Sequence, residues 1–118
     1  YAKDRQQFGQ PIGGFQAVKH RCADMAVRAD LASSQVRWAA LSIAGSLPDA
    51  GAHAAAAAIV ASNAAITNAQ TNIQNHGGIG FTWEHTAHRF VTRARMWGAL
   101  LGGVRAHQAA LLAAPTPN

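Results

Sequence analysis

Scarcity says much about this chain of 118 residues, which holds one cysteine, one tyrosine, five acidic residues and no initiating methionine. Cys22 alone excludes an intramolecular disulfide and suits a reducing cytoplasm, the expected location. Tyrosine, threonine and other strand formers are few while alanine dominates, 49% of residues are hydrophobic and only 13% are charged. That is the composition of an all-helical protein whose helices approach closely through small side chains. No window reaches the roughly 18 consecutive, strongly apolar residues of a membrane helix, because the run over 54–66 is mostly alanine with Ser62 and Asn63 inside it, so no membrane contact is expected. Against five acids stand ten lysines and arginines, a net charge of +5. The cations are scattered from Lys3 to Arg105 without interleaved aromatics, which argues against nucleic acid as a partner. The chain opens on YAKDRQQFG with no basic-then-apolar leader and reads as the interior of something longer, a truncated chain.

The length fits one domain, able to bury a core but short for an enzyme that also binds a large cofactor. Residues 1–8 read as a helical end, and GQPIGG at 9–14 as a loop that stops one helix and lets the next begin near Phe15. From there Phe15, Cys22, Ala29, Val36 and Ile43 recur every seven residues. Val18, Met25, Ala32 and Ala39 fill a second row, together the seam of a bundle helix of roughly eight turns. GSLPDAG at 45–51 ends it, with Pro48 and Asp49 as turn and start signals. A second helix of similar length is expected from about Ala52 to Gln74 on Ile59, Ile66 and Ile73. A glycine-rich loop follows, then a helix from Thr82 or Glu84 with a face of Phe90, Ala94, Trp97 and Leu101. Gly102 and Gly103 interrupt it before a last short helix from Val104, and residues 115–118 form a flexible tail. Long helices joined by short loops predict an all-α, up-and-down four-helix bundle over residues 1–114.

Two stretches carry candidate chemistry. In YAKDRQQFGQPIGGFQ, Arg5 offers a planar fork of donors suited to a phosphate or carboxylate, Phe8 an apolar face, and Gln16 a neutral hydrogen-bonding group one turn into the next helix. In QNHGGIGFTWEH, three glycines within four positions follow a long helical run, and the cluster marks either a bare turn or a place where a ligand approaches the backbone.

Together the two are more specific than apart. R-x-x-F-G, then P-I-x-x-F-Q, and about sixty residues later Q-x-x-G-G-x-G-F-x-x-E resemble the C-terminal helical domain of the acyl-CoA dehydrogenase family. Arg5, Phe8, Gly9, Pro11, Ile12, Phe15, Gln16, Gln74, Gly77, Gly78, Gly80, Phe81, Glu84 and Arg89 stand where that pattern asks for them. The wording of GGIGFTWEH and FQAVKHRCADM is most similar to bacterial members that degrade branched acids or sterol side chains. The resemblance implies FAD as cofactor, with Arg5, Phe8, Gln16, Gln74, Gly77 and Gly78 near its pyrophosphate and adenosine end, typically in a molecule held mainly by a neighbouring subunit. It also implies an acyl-CoA substrate dehydrogenated to the 2-enoyl-CoA, a homo- or hetero-oligomer and an electron-transfer acceptor. A bidentate cation and a backbone free of Cβ atoms are what a diphosphate requires. GGIG is not a dinucleotide fingerprint, since Trp83 occupies the place of the third spaced glycine.

The family's base is not found at one of its two usual places, because Leu101 stands where many members have glutamate before a glycine. Arg93 likewise stands where the pattern expects an acid. In other members the base lies on the helix before the Y-x-x-x-R motif, which would be upstream of Tyr1, and in heteromeric pairs one subunit lacks it. These alternatives stay open, no residue of this chain is assigned as catalytic, and the fragment alone is expected to be inactive. Glu84 reads as a helix-start acid that caps amides. His85 and His88, three apart, lack the further ligands of a metal site and read as surface or interface histidines. Cys22 reads as a core residue in the seam, and Trp38, Trp83 and Trp97 as packing or interface anchors. The rival to the enzyme reading is a non-catalytic helical assembly module whose glycine loop is merely a turn, or a base-lacking subunit of a heteromeric dehydrogenase.

Overall fold

Phe8 and Gly9 settle the start of the chain. Both have positive φ, 51° and 78°, the backbone of a tight two-residue hairpin turn. They join strand β1 (Gln6–Gln7) to strand β2 (Gln10–Pro11), paired antiparallel with Gln7 opposite Gln10. The computed structural model describes residues 1–114, and over 1–8 it has this hairpin and a preceding turn where a helical end was expected. Turn geometry outweighs the weak helical propensity of so short a stretch. A 3-10 turn at Ile12–Gly14 then leads into α1 (Gln16–Ala44).

Helix α1 packs along α2 (Ala50–His76), and α2 is the central element, in contact also with α3 (Ala87–Leu100) and α4 (Gly103–Ala113). The all-α architecture of four helices is as expected, extended to 57 × 26 × 21 Å. Gly102, with φ of 95°, breaks the last arm into α3 and α4 where the glycine pair was expected to interrupt it. The expected flexible tail at 115–118 lies outside the described residues.

The buried hydrophobic core consists of alanines: Ala39, Ala55, Ala57, Ala64, Ala69 and Ala87, with Ser42 beside them. Alanine lets helix backbones approach, and only a narrow stripe of each helix is covered as a result. On α1 that stripe contains Met25, Ala32 and Ala39. The row read as the other half of the seam lies outside it, with Cys22, Ala29, Val36 and Ile43 all exposed. Cys22 is therefore not a core residue. The three tryptophans also lie largely on the surface, Trp83 being 88% exposed.

Two asparagines join α1 to α2. Asn68 Nδ2 donates to Met25 O over 2.9 Å while its Oδ1 accepts from Arg28 over 3.2 Å. Asn75 Nδ2 reaches Cys22 Sγ and Met25 Sδ, each at 3.7 Å. These contacts fix the end of α2 beside the early turns of α1. One expectation needs amending: α2 with its following turn, Ala50–Phe81, is long and apolar enough by length and composition to cross a membrane, with a hydropathy of 1.3. Its alanines supply that value, and its asparagine contacts to α1 are those of a helix paired within the bundle.

Candidate cofactor-binding site

Arg5 is placed by its backbone. The amides of Asp4 and Arg5 donate to Tyr1 O over 3.1 and 2.8 Å, Ile12 N donates to Arg5 O and Gly13 N to Ala2 O, each over 2.8 Å. Residues 1–13 thus form a closed turn and hairpin from which the Arg5 side chain stands exposed, and no ion pair among the described residues includes it. A guanidinium without a carboxylate keeps its whole donor fork for an external anion.

Tyr1 ties this segment to the end of α2. Its ring centroid lies 4.3 Å from that of His76, and its hydroxyl donates to His76 O over 3.3 Å. His76 is the last residue of α2 and directly precedes Gly77. Phe8, 92% exposed, leans edge-on against Phe15 at 6.2 Å, and Phe15 caps the start of α1 at Gln16. Gln74 is exposed on the last turn of α2. The sequence-expected residues Arg5, Phe8, Gln16, Gln74, Gly77 and Gly78 therefore share one end of the bundle.

The glycines answer the question of turn or contact individually. Gly77 has φ 63° and ψ −143°, which favours glycine, and ends α2. A Cβ built on Gly77 or Gly78 would meet nothing within 4 Å, so this edge is open to an approaching group, while the Gly77 amide itself donates to Gln74 O. Gly80 differs: a Cβ there would lie 2.5 Å from Ile73 O and 2.9 Å from His76 Cβ. Gly80 is a packing glycine. An open glycine edge and an exposed guanidinium at one end of the bundle suit a diphosphate, and these groups fit the FAD that the resemblance implies.

Helix α3 begins at Ala87, later than Thr82 or Glu84, and the expected cap is replaced. Glu84 is exposed and makes no cap bond, whereas the Ala87 amide donates to His85 Nδ1 over 3.1 Å. A histidine in this role has no simple sequence signature, because the usual cap residues are serine, threonine, aspartate and asparagine. The His85–His88 pair is used locally too, with His88 Nδ1 2.7 Å from His85 O.

A second feature escaped the sequence reading. A groove of about 660 Å³ runs between α2 and α3, with Met25 of α1 at its wall. Ala61, Ala65 and Ala69 form its floor, and Phe90, Trp97 and Leu101 line its other side. The expected face of α3 exists but borders this open groove, so Phe90 is 57% exposed. The signal in sequence was the alanine repeat at i, i+4, i+8. Its lining includes Arg93 but no carboxylate, and with leucine at position 101 the groove contains no group able to abstract a carbon-bound proton.

Comparison with known proteins bears on the whole chain. The profile of the family described as "Acyl-CoA dehydrogenase, C-terminal domain" matches residues 1–114. Acyl-CoA dehydrogenase FadE34 of Mycobacterium tuberculosis is 51% identical over 106 residues, which are 87% of this chain and 15% of that protein. Acyl-CoA dehydrogenase IpdE2 of the same organism is 44% identical over 105 residues, 89% of this chain and 31% of that protein. Among solved structures, the ChsE4-ChsE5 complex from Mycobacterium tuberculosis matches with a TM-score of 0.86 at 32% identity, covering 100% of this chain and 32% of that one. The FAD complex of PigA matches with a TM-score of 0.87 at 28% identity, covering 94% of this chain and 29% of that one. The chain spans less than a third of the length of these relatives.

Proposed function

The chain belongs to the acyl-CoA dehydrogenase family as its C-terminal domain, and on that premise we propose that it is the helical domain of an FAD-dependent enzyme that converts an acyl-CoA thioester to the 2-enoyl-CoA. The observation that carries the reading is the pairing at one end of the bundle of a free Arg5 with the open backbone of Gly77 and Gly78, linked through Tyr1 and His76. Arg5 would hold the diphosphate over the open Gly77–Gly78 edge, Gln16 and Gln74 would add neutral hydrogen bonds, and Phe8 would supply an apolar surface. FAD, when bound, supplies the hydride acceptor for the reaction. This chain's part is to bind and orient. The proton is removed by a group outside residues 1–114, since Leu101 has no basic atom and Glu84 is exposed beyond the groove.

An aliphatic acyl substrate, use in fatty acid β-oxidation or in sterol or branched-acid breakdown, a cytoplasmic location, a separate electron acceptor and an oligomer of like or unlike subunits belong to the same proposal. Similarity to FadE34, IpdE2 and one chain of the ChsE4-ChsE5 complex supports the actinobacterial type. The leucine at position 101 favours a second reading for the assembly, a subunit that depends on a partner for its base.

The test is the visible spectrum of the complete purified protein, before and after anaerobic addition of acyl-CoA thioesters of increasing size. Flavin absorbance that bleaches on addition is the expected result. A protein that carries no flavin overturns the reading, and bleaching that requires a second subunit selects the heteromeric form.

A further inference from the structure

Three rings from three segments stack beside the glycine loop. They are Tyr1 of the N-terminal turn, His76 at the end of α2 and His85 in the loop before α3. His76 is in the middle, 4.3 Å from each neighbour by ring centroids, with tilts of 32° and 45°. The family resemblance assigned no role to either histidine. We propose that His76 and His85 are positioning residues that set the Arg5 turn against the Gly77–Gly78 backbone. The proposal rests on the FAD reading above.

The connectivity carries the proposal. Arg5 N and Asp4 N both bond to Tyr1 O, so Arg5 moves with Tyr1. Tyr1 is held by the face of the His76 ring and by His76 O, one residue from Gly77. His85 packs against the same ring, its centroid 4.3 Å away. Without the middle ring, the contacts between Tyr1 and His85 through it are lost, and Arg5 keeps its turn but not its place relative to the glycine amides.

The hydrogen bonds fix the two rings. His76 Nδ1 lies 2.7 Å from Asn72 O, and a carbonyl oxygen only accepts, so that nitrogen donates and ties the ring to its own helix. His85 Nδ1 accepts from the Ala87 amide, which ties its ring to the start of α3.

The experiment measures FAD dissociation from the complete protein by flavin fluorescence, for the wild type, His76→Ala, His76→Phe, His85→Asn and Arg5→Ala, each checked for folding by circular dichroism. Asparagine at 85 keeps an oxygen acceptor for the Ala87 amide but removes the ring, and phenylalanine at 76 keeps the middle ring. His76→Ala is expected to weaken binding about tenfold, His76→Phe to restore it to within about threefold, and His85→Asn to weaken it about threefold. A folded His76→Ala protein with wild-type affinity, or a His76→Phe protein as weak as His76→Ala, overturns the proposal. If Arg5→Ala weakens FAD binding while the histidine variants do not, the stack is refuted and the FAD reading stands. A wild type that takes no FAD removes both.

Discussion

Gly80 lies against Ile73 so closely that a Cβ on it would stand 2.5 Å from the Ile73 carbonyl oxygen. Two residues earlier, Gly78 has open space on the corresponding side. The same motif therefore contains a glycine needed for packing and a glycine available for contact. Gly80→Ala is expected to destabilise the domain by about 1–3 kcal/mol through overpacking. Gly78→Ala should change stability by less than about 0.5 kcal/mol yet reduce FAD retention, since the added methyl group occupies the approach to the amides. Thermal unfolding and flavin content, measured on both variants, separate the two roles.

Arg5 is the cation assigned to the site, and its donor fork is free of carboxylates among the described residues. Losing a charge-assisted pair to a diphosphate costs about 1.5–3 kcal/mol, so Arg5→Ala should weaken FAD binding by roughly 10- to 150-fold. Arg5→Lys should recover only part of this, because an ammonium group does not reproduce the planar two-point contact. Equilibrium dialysis of the complete protein against FAD gives both values. Unchanged retention in Arg5→Ala would mean that the arginine is only a solvated surface residue.

The helices, their breaks and the glycine motif were legible because each has a local signature: heptad spacing in α1, GSLPDAG at the turn, and paired glycines at 102 and 103. The choice between the two apolar rows of α1 was not. Spacing shows that Val18, Met25, Ala32 and Ala39 form one row and Cys22, Ala29, Val36 and Ile43 another, but not which row meets a partner of alanines. The hairpin at Phe8–Gly9 was masked by helix-compatible neighbours, with a non-glycine residue at φ 51° giving no warning. The ring stack of Tyr1, His76 and His85 joins positions 84 residues apart at its extremes and so has no sequence period at all. Of the candidate site, the sequence reading named exposed groups at one end of the bundle and missed the ring contacts beside them.

Asn68 satisfies both ends of its amide across the α1–α2 junction, donating to Met25 O and accepting from Arg28. The neighbouring buried residues are alanines and offer no substitute partner. Asn68→Leu would leave the Arg28 guanidinium without that acceptor and remove the donor to Met25 O, at a cost of about 1–3 kcal/mol. Asn68→Asp should be tolerated better on the Arg28 side but lose the bond to Met25 O, since a carboxylate only accepts. Urea unfolding of the two variants should rank them below the wild type. Equal midpoints for all three would show that the junction is held by the alanine packing alone.

A core made only of small residues leaves the large ones outside, and that has a consequence for assembly. Val27, Leu31 and Leu41 on α1 are each more than half exposed, while Phe90 and Leu101 border the open groove beside α2. Monomeric proteins rarely leave contiguous apolar patches beyond a few hundred Å² uncovered. Because the matched relatives are much longer than this chain, neighbouring domains or, in an oligomer, neighbouring subunits would be available to cover these faces. Residues 1–118 expressed alone should therefore self-associate, and light scattering should report a mass above that of the 12.3 kDa chain. Leu31→Glu with Leu41→Glu would place charges on the outer face of α1 without touching the α2 contact, and should lower that mass toward the monomer. A clean monomer before substitution would show that the alanine-packed bundle tolerates its exposed apolar surface in water, which would remove the assembly argument from composition and burial alike.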